Sequence, residues 1–324
     1  MQNSSGARNV GVDVTRAIAL MGMFVSHLSY PSGVLAEVVY GFPAALFAFV
    51  AGVSMAFMSA DGARPAHFVV RGLVLVALHF GLALVPTDIY IVLGTLGICM
   101  IALAWAPKWS SRVQLLMAVV LTVVSGLVAV FGPALNYSPF MWAALLLAGM
   151  LFHRHVLGCS RRLAWGAVVG LALMAADIAA RWYVPLPLVL DVDGHTGGVL
   201  DVVGSVGASI GICSVCCVAA RRWQVVLPRM GRMPLTLYCL HVVSSPFVGL
   251  WATVAGAAVL AVAWLHVFRR GPVEEAVRRI VGAGVDCVEY RKGNGNEENR
   301  RIDAGSGAFR RPARVGDGVA DLRR

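Results

Sequence analysis

The chain is poor in charge. Only 14% of its 324 residues are Asp, Glu, Lys or Arg, where soluble domains carry about 25%. Hydrophobic residues make up 58%, and the mean hydropathy is +0.75. A water-soluble globule of this length could not solvate so apolar a surface, so most of the chain belongs in lipid. Acidic residues are scarcest before the C-terminal tail. Of 27 basic and 17 acidic residues, 11 and 9 fall in 271–324, leaving 16 and 8 for the first 270 positions. This divides the chain into a membrane domain, 1–270, and a polar tail, 271–324. Also absent are a Walker A loop, a G-x-S-x-G elbow and an H-E-x-x-H metal motif, and the GxG fragment in 282–284 follows no strand. The pI near 9.7 invites a nucleic-acid reading, but a nucleic-acid binder clusters its cations on a solvated face. Here they lie between apolar runs. Cys213, Cys216 and Cys217 have a C-x-x-C spacing but no neighbouring His or carboxylate, so they read as packing residues and no metal site is expected.

What is present is a series of apolar windows long enough to cross hydrocarbon. There are ten, at about 11–30, 38–59, 68–86, 88–106, 112–132, 139–157, 162–184, 198–220, 233–250 and 252–268. Pro31, Pro65, Pro86, Pro107, Pro133, Pro139, Pro185 and Pro234 fall at their joints. Even-numbered loops carry the basic residues, among them Arg64, Lys108, Arg161, Arg162, Arg221, Arg222, Arg229 and Arg232. The odd-numbered loops hold only Arg181. Basic loops face the cytoplasm. The expected fold is therefore an all-α, polytopic transmembrane helix bundle of about ten spans in the cell membrane, with both termini cytoplasmic. No A-x-A-type site ends the first window, so it reads as a retained helix. In the tail, residues 271–280 suit a short amphipathic helix with Val273, Val277 and Ile280 toward lipid. Beyond about 290 the composition predicts disorder.

Ionisable groups inside a span are costly and are functional candidates by default. The first window carries Asp13, Arg16 and His27. Asp13 and Arg16 are three apart and can pair on one face. His27 follows Arg16 by eleven residues, so it returns to nearly the same face about 16 Å farther along. Structural readings exist for each: an ion pair for the first two, an interfacial residue for the third. Asp191, Asp193, His195 and Asp201 cluster in and after the seventh loop. Glu37 and Tyr40 open the second window, and Tyr238 and His241 lie within the ninth. Gly207-x-x-x-Gly211 signals a closely packed neighbouring helix.

The stretch 10–27, VGVDVTRAIALMGMFVSH, resembles the first-helix signature of the family that includes heparan-α-glucosaminide N-acetyltransferase and the YeiB-like bacterial membrane proteins. LFAFVAGVSMAF (46–57), HTGGVLDVVGSVGASIGIC (195–213), GRMPLTLYCLHVV (231–243) and GPVEEAVRRI (271–280) are similar to later segments of that family, in order. The resemblance covers most of residues 9–280. The family's usual Arg-Gly is Arg16-Ala17 here, and the third position of its Gly-Pro-Leu-Glu is Val273.

The resemblance implies an acyltransferase that moves an acetyl or other acyl group from cytosolic acetyl-CoA or acyl-CoA to an extracytoplasmic sugar or glycolipid hydroxyl or amine. Arg16 and Arg71, just inside the membrane, are placed to meet CoA phosphates through their planar forks, with Asp13 orienting Arg16. His27 is the candidate general base, with His195 and Asp201 next around the acceptor. His241, Tyr238 and Glu37 are candidates along the substrate path. Partners on this reading are the lipid bilayer and an envelope glycan or glycolipid, with room for a homo-oligomer. A transporter or flippase for a polar lipid or small metabolite also suits ten helices with buried polar groups. Such a protein usually repeats its architecture between halves, and no later segment repeats the Asp13…His27 arrangement. A sensor or assembly partner without catalysis is the third reading.

Overall fold

The structure is a computed structural model describing residues 9–131, 137–219 and 225–286. It contains α1 (Val10–Leu28), α2 (Val34–Val39), α3 (Phe42–Ala60), α4 (Pro65–Leu82), α5 (Leu93–Ala102), α6 (Ser111–Phe131), α7 (Pro139–His155), α8 (Ser160–Tyr183), α9 (Val199–Val218), α10 (Val226–Arg232), α11 (Pro234–Ser244) and α12 (Leu250–Val267). A further helix, α13, covers 272–286. No strand occurs among the described residues. Proline stands in the first turn of α3, α4, α7 and α11. There its fixed φ suits the helix and its missing N–H breaks no bond. Asn9 caps α1 by accepting from the Val12 amide at 3.1 Å, which starts the helix just before the first polar pair.

Seven helical stretches are long and apolar enough to cross a membrane: α1, α2–α3 taken together, α4, α6, α8, α9 and α12. Three sequence windows fold into shorter helices. The window 88–106 becomes the 10-residue α5, 139–157 the 17-residue α7, and 233–250 the 11-residue α11. At about 1.5 Å per residue, α5 and α11 each cover roughly half of a ~30 Å hydrocarbon layer.

The helices form an inner and an outer set. α1, α3, α7 and α9 bury most of their surface, with Phe24, Phe49, Trp142 and Phe152 fully enclosed. α6, α8 and α12 bury few residues. They turn Leu115, Leu116, Trp165, Val168, Trp251 and Val259 outward. Exposed apolar side chains in that number are the mark of a surface that meets lipid. Two inner contacts depend on glycine. A Cβ on Gly52 would run into the Leu146 carbonyl of α7, and one on Gly149 into the Phe49 carbonyl of α3. Gly170 of α8 packs against the backbone at Gly207 and Gly211, the neighbour that the small-residue spacing in α9 called for.

The tail helix differs from its sequence expectation. Val277, Val281 and Val285 are buried and belong to the main hydrophobic core, with Val273 packed against it. Ile280, expected to face lipid, is exposed. The apolar residues recur every four positions, so the helix stacks its valines against the bundle beside Val70 of α4, which lies within contact distance of Gly284. The start of 271–324 is thus packed on the membrane domain. The segment beyond 290, with its expected disorder, and Arg221 and Arg222 lie outside the described residues.

Candidate functional site

The polar groups of α1 organise two separate clusters, one at each end of the helix. At the first, Asp13 is 2% exposed. Its Oδ1 pairs with Nη1 of Arg16. Arg16 Nη2 donates to Ser54 Oγ of α3 at 2.8 Å, and Ser54 Oγ donates to the Val50 carbonyl at 2.6 Å. A Cβ on Gly231 would overlap the Asp13 carbonyl, so α10 lies directly on the backbone of α1 here. Arg71 of α4 joins the cluster electrostatically, with Arg16 and Glu274 as the charges acting on it. No hydrogen bond to its guanidinium occurs among the described residues.

Glu274 of α13 ties this end together. One carboxylate oxygen accepts from the backbone amides of Leu235 and Thr236 at 2.7 and 3.0 Å. The other accepts from Thr236 Oγ1 at 2.5 Å, and that hydroxyl accepts in turn from the Val273 amide at 3.1 Å. A carboxylate so placed satisfies the first amides of α11 and meets the positive end of its dipole. Sequence reasoning did not single out Glu274: its one signal was its place as the Glu of the Gly271-Pro272-Val273-Glu274 stretch, and the helix it caps lies about 40 residues earlier.

At the other end of α1, His27 Nδ1 lies 3.1 Å from His241 Nε2 of α11. The two rings are nearly parallel, 7° apart, with centroids separated by 5.4 Å. Phe24 covers His241 at 4.5 Å. His241 is 1% exposed, and its Nδ1 has no hydrogen-bond partner among the described residues. One proton is shared along the contact. In the tautomer where His27 Nδ1–H donates, His27 Nε2 keeps a lone pair and His241 serves as the orienting acceptor. Tyr238, one turn before His241, is fully buried. Its hydroxyl accepts from the Val92 amide at 3.2 Å and its ring lies against Phe47, so it braces α11 against the start of α5.

His195 sits in the loop between α8 and α9, with φ at +71°, a conformation that costs a side-chain-bearing residue some strain. Its ring meets Tyr137 edge-on, with centroids 4.9 Å apart. Burial pushes this imidazole down to about 4, and Arg181 and His27 act on it in the same direction. It is therefore neutral at pH 7 and lies in the electrostatic neighbourhood of His27.

Asp201 is 1% exposed. Its oxygens accept from the Gly197 amide at 3.0 Å and the Ser205 hydroxyl at 3.3 Å. No described imidazole hydrogen-bonds it, so in this structure it fixes the loop that carries His195. Glu37 is bound elsewhere. Arg181 Nη1 approaches it at 3.4 Å and Arg181 Nη2 holds Asp177 at 2.8 Å, while Trp182 Nε1 donates to Glu37 at 3.2 Å. Arg181 lies over the Phe42 ring at 4.9 Å, its side chain 3% exposed. In the sequence it stood out only as the lone cation of the odd-numbered loops. The signal for more was Asp177-x-x-x-Arg181, an i,i+4 pair.

The structure thus pairs Asp13 with Arg16 and His27 with His241, with Arg71 within electrostatic reach of the first pair and His195 of the second. Tyr238 and Asp201 support the second group, and Glu37 belongs to the Arg181 cluster. No group of three or more metal-ligating side chains occurs among the described residues. No protein-family model and no curated protein sequence matches the chain.

Proposed function

We propose that this chain is a multi-pass integral-membrane acyltransferase, moving an acetyl or other acyl group from cytosolic acyl-CoA to an extracytoplasmic sugar or glycolipid hydroxyl or amine. The observation that carries the reading is the placing, at the two ends of α1, of a polar cluster that holds Arg16 and Arg71 and, about 16 Å along the helix, of the His27–His241 imidazole contact. The first suits the phosphates of a CoA donor. The second suits proton removal from an acceptor. The first-helix resemblance and the alternation of basic loops support the same orientation, ten crossings with both termini inside, the shorter helices counting as crossings.

The transfer balances without a cofactor beyond the CoA thioester. His27 Nε2 takes the proton of the acceptor hydroxyl as that oxygen attacks the thioester carbonyl. The C–S bond breaks, and the CoA thiolate leaves and is protonated. His241 holds the His27 ring through Nδ1 while the charge passes through it. An imidazole offers one nitrogen to accept the proton while the other keeps a hydrogen bond that orients the ring.

The test is CoA release. The purified full chain, in lipid discs with acetyl-CoA and an extract of envelope glycolipids, is expected to liberate free CoA thiol in proportion to acetylated acceptor. Absence of both CoA binding and release across acceptors would overturn the reading. Movement of a solute or lipid across sealed vesicles without CoA consumption would favour the transporter instead.

A further inference from the structure

A groove away from both clusters opens on the outer surface of the bundle. Its walls are α6 and α8, and its floor is α7 and α9. The floor is low because Ala144, Ala148 and Gly207 face it. The walls are two of the three least-buried membrane-length helices, so the groove lies where hydrocarbon surrounds the protein. Its volume is about 520 Å³, within the ~300–1,000 Å³ of built small-molecule sites. The lining is apolar almost throughout. Thr122 is satisfied internally, donating to the Ala118 carbonyl at 2.8 Å.

The groove has one charged end. Arg162 stands there beside the exposed Trp165, and no carboxylate lines any part of it. Arg162 Nη1 donates to the His155 carbonyl at 2.8 Å, which leaves the rest of its guanidinium facing outward among the described residues. Arg161 is exposed next to it. From Arg162 the lining runs along α8 to Leu173, eleven residues or about 16 Å. That is roughly half of a ~30 Å hydrocarbon layer, the depth of one leaflet.

From these features we infer that the groove is a binding site for an anionic glycerophospholipid of the surrounding bilayer. One acyl chain lies between α6 and α8 and ends at the bilayer midplane. The phosphate meets Arg162 and Arg161, and Trp165 sits at headgroup level. The dimensions select this occupant. A packed helix about 10–12 Å across is too wide for a slot of this volume and length. The positive-inside arrangement puts the Arg162 end at the cytoplasmic leaflet. The site stands independently of the acyltransferase reading, since none of its residues belongs to either cluster on α1.

Native mass spectrometry of the full chain, released from discs of mixed phosphatidylglycerol and phosphatidylcholine, tests the assignment. Wild type is expected to retain one phosphatidylglycerol per chain. Ala118→Phe fills the slot from the α6 side and should reduce that retained lipid at least about tenfold, a loss of about 1.4 kcal/mol. Arg162→Gln should keep a lipid bound but abolish the preference for phosphatidylglycerol over phosphatidylcholine. Unchanged lipid number and preference in both variants would overturn the proposal. So would conversion of a dimer to a monomer by Ala118→Phe, since the groove would then be an interface between copies. Thermal melting of both variants identifies any failure to fold, and Leu115→Ala on the same wall then supplies a milder probe, expected to weaken retention without filling the slot.

Discussion

The two ends of α1 solve the problem of a polar group in a membrane in opposite ways. At Asp13, charge is met with charge: a carboxylate and a guanidinium pair, Ser54 takes a second guanidinium nitrogen, and Glu274 reaches in from the tail to cap α11. At His27 no counter-ion occurs among the described residues. Two imidazoles share one proton, and the buried Nδ1 of His241 is left without a described partner. A paired buried charge holds its protonation state firmly, whereas the imidazole pair carries no paired charge and offers both donor and acceptor nitrogens. The first arrangement suits static recognition of an anion, and the second suits proton transfer.

The sharpest way to break this contrast is His27→Ala. Transfer is expected to fall at least ~10²-fold, the low end for removing a general base, while the CoA dissociation constant stays near wild type. Wild-type rates in a folded variant would make the imidazole pair structural and move attention to His195.

Glu274→Ala probes the other end. It removes an acceptor used by two amides and one hydroxyl, and hydrogen bonds to charged groups contribute about 1.5–3 kcal/mol. The expected result is a lower Tm, together with slower transfer because α11 carries His241. Glu274→Gln, which keeps one carbonyl acceptor for the amides, should recover most of the Tm. An unshifted Tm in the Ala variant would mean that the cap adds nothing in the bilayer.

Arg16→Ala should weaken acyl-CoA binding by about tenfold, equivalent to ~1.4 kcal/mol, and leave kcat at saturating donor nearly unchanged. Equal loss in binding and kcat would show that the two ends do not divide the work.

The smallest effect concerns His195. Its folded-state value near 4 lies below the ordinary imidazole value of about 6.5. The unfolded chain therefore binds the proton more readily between those values. Stability from this group is fully present above pH ~6.5 and declines as pH falls toward 4. His195→Gln should flatten the dependence of Tm on pH in that window; an unchanged slope would show that the ring is not buried in the folded protein.

Much of this contrast was visible in the sequence, and the remainder was hidden for physical reasons. The lipid environment follows from hydropathy, which is a local property. Asp13 and Arg16 are three residues apart, so helical periodicity alone pairs them. The His27–His241 contact joins α1 to α11 across 214 positions, and only tertiary packing creates it. Glu274 stood within the 271–280 segment, but its role as a cap could not be read there, because the helix it caps is distant in sequence. The buried face of α13 was readable: Val273, Val277, Val281 and Val285 repeat every four residues. A window ending at 280 caught only the first two, and Ile280 lies off this stripe, exposed. Hydropathy marked the windows of α5 and α11 because it senses apolar content, and it does not show where Gly, Pro and turn residues shorten the helix.

The account rests on a donor end and an acceptor end facing opposite sides of the membrane. The direct measurement uses sealed vesicles holding the full chain in one orientation, with radiolabelled acetyl-CoA confined to the side of the Asp13 end and a glycolipid acceptor accessible only from the other. The account predicts label on the acceptor in the opposite compartment, dependent on His27. Label confined to the donor's side, or no consumption of acetyl-CoA, would contradict it.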